Sequence, residues 1–199
     1  MAPDRIDRRL AAILSADMVG YSRLMEVDET GTITRQRSHR IELIDPTIEA
    51  FKGRIVKTAG DGILVEFASA VDAVDCAVEI QNAMVEREAD RSVDQRIQYR
   101  IGINVGDIVI DGDDILGDGV NVAARLEGLA EPGGVCVSAK VHGEVRGKVE
   151  LAFEDLGEQT VKNIVTLVPV YKVRFDGNGT GATEANAGSA EPLTERPST

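Results

Sequence analysis

Residues 54–68, RIVKTAGDGILVEFA, set two β-rich apolar runs on either side of a Gly-Asp-Gly centre, which predicts an antiparallel hairpin. Glycine supplies the positive φ that such a tight turn requires. Asp61 therefore stands at or beside the hairpin tip.

The other segments can be placed around this hairpin. LAAILSADMVGYS reads as a buried strand that ends in a turn and delivers Asp17 to an edge of the core. Residues 28–51 carry Ile41, Ile44, Ile48 and Phe51 at three- and four-residue spacing, which predicts a helix bent or interrupted at Pro46. Ser69 is a candidate N-cap for a second helix, with Val71, Val74, Ala77, Val78, Ile80, Ala83 and Met84 along one broad face. RIQYRIGINVGDIVIDG reads as one strand or a tight pair of strands, and DGVNVAARLEGLAEPGG as a helix ended by Gly and Pro. A strand, a short helix and two final strands complete the order.

That order predicts an α+β fold on the split βαβ plan, ferredoxin-like and palm-type, with an antiparallel-rich sheet covered by helices on one side. Residues 1–9 read as an N-terminal extension and residues 10–175 as one folded domain. Residues 176–199 hold a single Leu as their only large apolar side chain, which predicts a disordered tail.

Composition narrows the partners. A formal net charge of -12 argues against nucleic acid and against an anionic membrane surface, since both need clustered Lys and Arg. The charged start MAPDRIDRRL has no apolar signal core, and no stretch is long enough to span a bilayer, so a cytoplasmic location is expected. Cys76 and Cys136 sit in apolar runs as core residues, while His39 and His142 lack metal-ligand spacing and read as surface or packing residues.

Taken singly, the polar residues have plain explanations. Asp17 suits a cap or turn, Asp61 suits hairpin chemistry, Lys57 an exposed strand position, and Asn121 and Arg125 a solvated helix face. Together they form a pattern. SADMVGYSRLME, KTAGDGILVEF, DILGDGVNVAARLE and VKNI occur in the order and spacing of the class III adenylate and guanylate cyclases, and the chain resembles that family over residues 8–175.

The resemblance implies that Asp17 and Asp61 bind two Mg²⁺ or Mn²⁺ ions, with the main-chain carbonyl of Met18 as a further ligand. By the same resemblance, Asn121 orients the ribose, Arg125 stabilises charge on the α-phosphate, and Lys162 contacts the terminal phosphates. Lys57 and Asp114 fall on the positions that read the base. A Lys donor and an Asp acceptor complement adenine, which implies ATP as substrate, with Asp113 the alternative if the register slips by one. The family's sites lie between two protomers, so a homodimer with shared active sites is implied. The segment DIVIDGD between Gly106 and Asp114 is shorter than in many members. Other readings are a guanylate cyclase, a catalytically silent nucleotide-binding regulatory domain, and a polymerase-like or diguanylate-forming domain; the last lacks its Gly-Gly-Asp/Glu-Glu-Phe string here.

Overall fold

The computed structural model describes residues 7–160 and 167–175. Lys162, the first six residues and the expected tail lie outside the described residues.

The chain opens with β1 (Asp7–Met18), ahead of the expected start at residue 10, since Asp7 already pairs with Ile110. After Gly20, at φ 63, the expected turn continues into a short helix, α1 (Tyr21–Val27). The predicted helix over residues 28–51 divides into α2 (Glu29–His39), a π-helical turn at Arg40–Ile44 and α3 (Asp45–Ala50). Pro46 causes the division: it lacks an N–H, and its ring would crowd the carbonyl four residues back, so it is accommodated in the first turn of a new helix.

The hairpin is β2 (Arg54–Ala59) and β3 (Gly62–Phe67), with Ala59 facing Gly62 across a turn of Gly60 and Asp61. Gly60 holds φ 62, which glycine adopts without a Cβ penalty. Next is α4 (Ala70–Arg87), whose Ser69 side chain accepts from the Asp72 N–H as the predicted N-cap. Its buried face centres on Ala73, Val74, Cys76, Ala77, Ile80, Gln81 and Met84, while Val71, Val78 and Ala83 lie at its partly buried flank. Gln81 is tolerated there because its amide donates to the carbonyls of Tyr99 (2.9 Å) and Gly134 (3.0 Å).

The tight strand pair is β4 (Tyr99–Asp111) and β5 (Asp114–Leu116), and α5 (Asp118–Leu129) follows. The chain closes through β6 (Val135–Ser138), α6 (Ala139–Val145), β7 (Ala152–Gln159) and β8 (Val168–Arg174). Among the described residues the strands form one eight-stranded sheet, in the order β2-β3-β1-β4-β6-β8-β7, with β5 paired to β4. β3 lies antiparallel between β1 and β2, and β1 lies antiparallel between β3 and β4, so the first half contains two interleaved split βαβ units.

The expectation that helices cover one side does not hold. Side chains from α1, α3, α4 and α6 pack with Leu14, Val65, Phe67 and Ile101 on one face, and α5 covers the other over Ala11, Ile13, Ile108 and Ile115. β4 and β6 are parallel neighbours, so the chain must cross over between them, and it does so through α5. The approach is close. A Cβ on Gly102 would stand 2.1 Å from the Glu127 nitrogen and 2.3 Å from the Ala123 oxygen, so only glycine lets the helix backbone rest on β4. Ile13, Ile108 and Ile115 are essentially buried beneath the helix; each contributes about 1.5–3 kcal/mol by burial, which holds α5 in place.

Cys76 and Cys136 are buried free thiols, pushed up to about 12 and about 11 by burial, as core residues should be. Both histidines pack: His39 is buried with its Nε2 3.1 Å from Glu88, and His142 stacks on Tyr171 with centroids 4.0 Å apart. Among the described residues no helix is long and apolar enough to cross a membrane.

Candidate active site

Side chains alternate along a strand, and Ala11 and Ile13 of β1 face α5. Ser15 and Asp17 therefore project from that face as β1 ends. The β1–β3 register pairs Ala16 with Ile63, which brings the Gly60-Asp61 turn alongside Asp17. Asp61 thereby comes near enough for its carboxyl group to act on that of Asp17. Asp17 is pushed up to about 6, first by burial, then by the neighbouring Asp61 carboxyl group; the Arg100 charge and the Met18 main chain act in the opposite direction. The Met18 side chain is in the core at 1% exposure, so only its main chain is available to the site.

Three residues that the sequence reading passed over surround this pair. Arg100 is the cross-strand partner of Asp17 in β4, with Nη2 3.7 Å from Asp17 Oδ2. The same nitrogen lies 3.9 Å from Oε1 of Glu127 on α5. Glu127 is pushed up to about 7 by burial and then by the Asp17 charge, and its Oε2 is 3.5 Å from the Ser15 hydroxyl.

A second pair forms at the tip of the β4–β5 ribbon. β3 and β1 separate β2 from β4 in the sheet, so β5 must lean across them to touch β2. Lys57 Nζ meets Asp114 Oδ2 at 3.1 Å, and Asp114 Oδ1 accepts from the Ile115 N–H at 2.9 Å. The Lys57 hydrogen bond, followed by that of the Ile115 N–H, holds the Asp114 carboxyl below the usual carboxylate range. Asp114, and not Asp113, is the partner of Lys57.

Asn121 and Arg125 stand exposed one turn apart on α5. Among the described residues their side chains make no hydrogen bond or ion pair. The protomer thus assembles Asp17 with Asp61 and Lys57 with Asp114, and leaves Asn121 and Arg125 open to solvent. A cavity of about 620 Å³ at the carboxyl ends of β4 and β6, bordered by Arg8, Asn104, Asp118 and Lys140, contains none of these six residues.

Known proteins share the sequence pattern and the fold. Residues 7–173 match the sequence model of the adenylate and guanylate cyclase catalytic domain. A putative adenylate cyclase 3 of Rhizobium meliloti is 49% identical over 171 residues, which cover 86% of this chain and 29% of that protein. An adenylate cyclase of Streptomyces coelicolor is 34% identical over 142 residues, covering 67% of this chain and 33% of that protein. The chain therefore spans about a third or less of the length of these curated relatives. Among solved structures, an adenylate/guanylate cyclase/hydrolase from Silicibacter pomeroyi superposes with a TM-score of 0.80 at 56% identity, covering 83% of this chain and 96% of that one. The adenylyl cyclase CyaB from P. aeruginosa shares the fold, with a TM-score of 0.74 at 23% identity over 88% of this chain and 98% of that one. With the split βαβ sheet, the ordered motifs and a family match across nearly all described residues, the chain belongs to the adenylate and guanylate cyclase catalytic domain family.

Proposed function

We propose that residues 10–175 form an adenylate cyclase catalytic domain that converts ATP to 3′,5′-cyclic AMP and pyrophosphate. The observation that carries this reading is the β1–β3 register, which sets the Asp61 turn alongside Asp17 at the end of β1. Two neighbouring carboxyl groups, one of them lifted to about 6, are hard oxygen donors whose repulsion a divalent cation relieves, so they fit Mg²⁺ or Mn²⁺. Asp17, Asp61 and the Met18 carbonyl would hold two such ions. Among the described residues no group of three or more His, Cys, Asp or Glu side chains is arranged to hold a metal, so water and triphosphate oxygens would complete the coordination. Ions bound there lower the pKa of the ribose 3′-hydroxyl and neutralise the triphosphate.

The 3′-oxygen joins the α-phosphorus, the bond to pyrophosphate breaks, and the hydroxyl proton leaves to solvent. Asn121 orients the ribose, Arg125 places a fixed charge against the α-phosphate, and Lys162 contacts the terminal phosphates. Lys57 donates to adenine N1 and Asp114 accepts from the N6 amine; their 3.1 Å contact, which sets a donor beside an acceptor, supports this reading. The exposure of Asn121 and Arg125 supports a homodimer in which each chain offers them to its partner's Asp17 and Asp61. Purified protein incubated with ATP or GTP and each divalent metal, with the product identified by mass, tests the proposal. Cyclic AMP formed well ahead of cyclic GMP is expected; equal use of GTP contradicts the substrate, and no product with either contradicts the reaction.

A further inference from the structure

Glu66 of β3 is a carboxylate at 7% exposure on the α5 face of the sheet, where an unpaired charge is costly. Arg9 of β1 meets its Oε1 at 2.5 Å. Arg54 of β2 meets its Oε2 through Nε at 3.1 Å and Nη2 at 2.7 Å. The third nitrogen of Arg54, Nη1, donates to the main-chain carbonyl of Asp113 at 3.2 Å. Asp113 closes the β4–β5 turn, and the next residue is Asp114.

Arg54 therefore grips two things at once. Its Nε edge is anchored on a buried carboxylate, and its free corner holds the peptide directly before Asp114. Lys57, the partner of Asp114, lies three residues along the same strand, beyond a bulge between Ile55 and Lys57. The β4–β5 ribbon leans across two strands to reach β2, and the guanidinium ties its tip to β2 where Lys57 and Asp114 meet. We infer that Arg54, anchored by Glu66, is a positioning residue for nucleotide selectivity: it sets the height of Asp114 over the sheet and so the spacing of the Lys57–Asp114 pair. The inference rests on the reading that this pair recognises adenine. Arg9 supplies the contrast, because it neutralises the same Glu66 and, among the described residues, makes no hydrogen bond or ion pair with the turn.

A lysine at position 54 keeps a charge for Glu66 but cannot bond the carboxylate and the Asp113 carbonyl in the same fork. The test compares kcat and KM for ATP and GTP, together with Tm, in Arg54→Lys, Arg54→Ala and Arg9→Ala, with Lys57→Ala and Asp114→Ala as references. Arg54→Lys should hold Tm near that of the parent yet raise KM for ATP about five- to tenfold, leave kcat within about threefold, and reduce the ATP-over-GTP ratio of kcat/KM about tenfold. Arg9→Ala should lower Tm with the ratio unchanged. If both Arg54 variants keep the parental KM and ratio while the Lys57 and Asp114 variants lose selectivity, Arg54 has a structural role only and the inference is wrong. If the Lys57 and Asp114 variants also keep full selectivity, the base-reading proposal fails and the inference falls with it.

Discussion

Asp17 on β1 and Glu127 on α5 share one guanidinium: Arg100 Nη2 lies 3.7 Å from the first carboxylate and 3.9 Å from the second. One cation for these two acids leaves excess negative charge on the α5 face, and both carboxyl groups are pushed up, first by burial, then Asp17 by Asp61 and Glu127 by the Asp17 charge.

The pH dependence follows from Glu127, whose folded-state value of about 7 exceeds the ordinary 4.5. The folded chain holds that proton more tightly than the unfolded chain does. Its contribution to stability is therefore complete below about pH 4.5 and is lost as pH rises through about 7. Glu127→Gln removes the penalty, and should raise Tm by roughly 2–4 °C at pH 8 while leaving it unchanged at pH 4. Thermal unfolding of both proteins across pH 4–8, without divalent metal, checks this.

The place of α5 sets a second expectation. A Cβ at position 102 would meet helix backbone at 2.1 Å, and backbone cannot yield as a flexible side chain can. Gly102→Ala should cost more than about 3 kcal/mol or prevent folding. Gly60→Ala has open space around it and only an unfavourable φ of 62 to bear, so it should cost about 1 kcal/mol. Urea unfolding of the two variants gives the comparison.

The shared-site proposal predicts complementation. Asp17→Ala and Arg125→Ala should each be nearly inactive as homodimers, while an equimolar mixture should recover up to about a quarter of wild-type activity, because half of the dimers are hybrids with one intact site each. Mixed chains that form hybrids, detected with two affinity tags, yet stay inactive would contradict it.

Much of this was legible in the sequence because local rules carried it. Gly60 and Asp61 had to form a turn, Ser69 had to cap a helix, and Pro46 had to interrupt one. Asp17 and Asp61 are nominated by the resemblance to the cyclase family; the local signals place them only at a strand end and a hairpin turn. Arg100, Glu127 and Ser15 could not, since their roles depend on which residue lies opposite Asp17 across the sheet and on which face α5 covers. The glycines at 102 and 106, each two residues from Asn104, were the available sign that a helix backbone rests on that strand face. Arg54 was hidden for a related reason: its contact with Asp113 spans 59 residues and exists only because β5 leans over the sheet. The one-sided covering expected of the sheet failed because the parallel β4–β6 pair, which makes a crossover necessary, leaves no local trace.

The central claim is that Asp17 and Asp61 act as one unit in holding the cations. Manganese binding followed by electron paramagnetic resonance, with kcat measured alongside, in Asp17→Asn, Asp61→Asn and the double variant tests it most directly. Each single change should weaken manganese binding at least about tenfold and lower kcat at least about 100-fold, with the double variant scarcely worse than either. Single variants that bind manganese as the parent does, or that keep more than about a tenth of its kcat, would contradict the account.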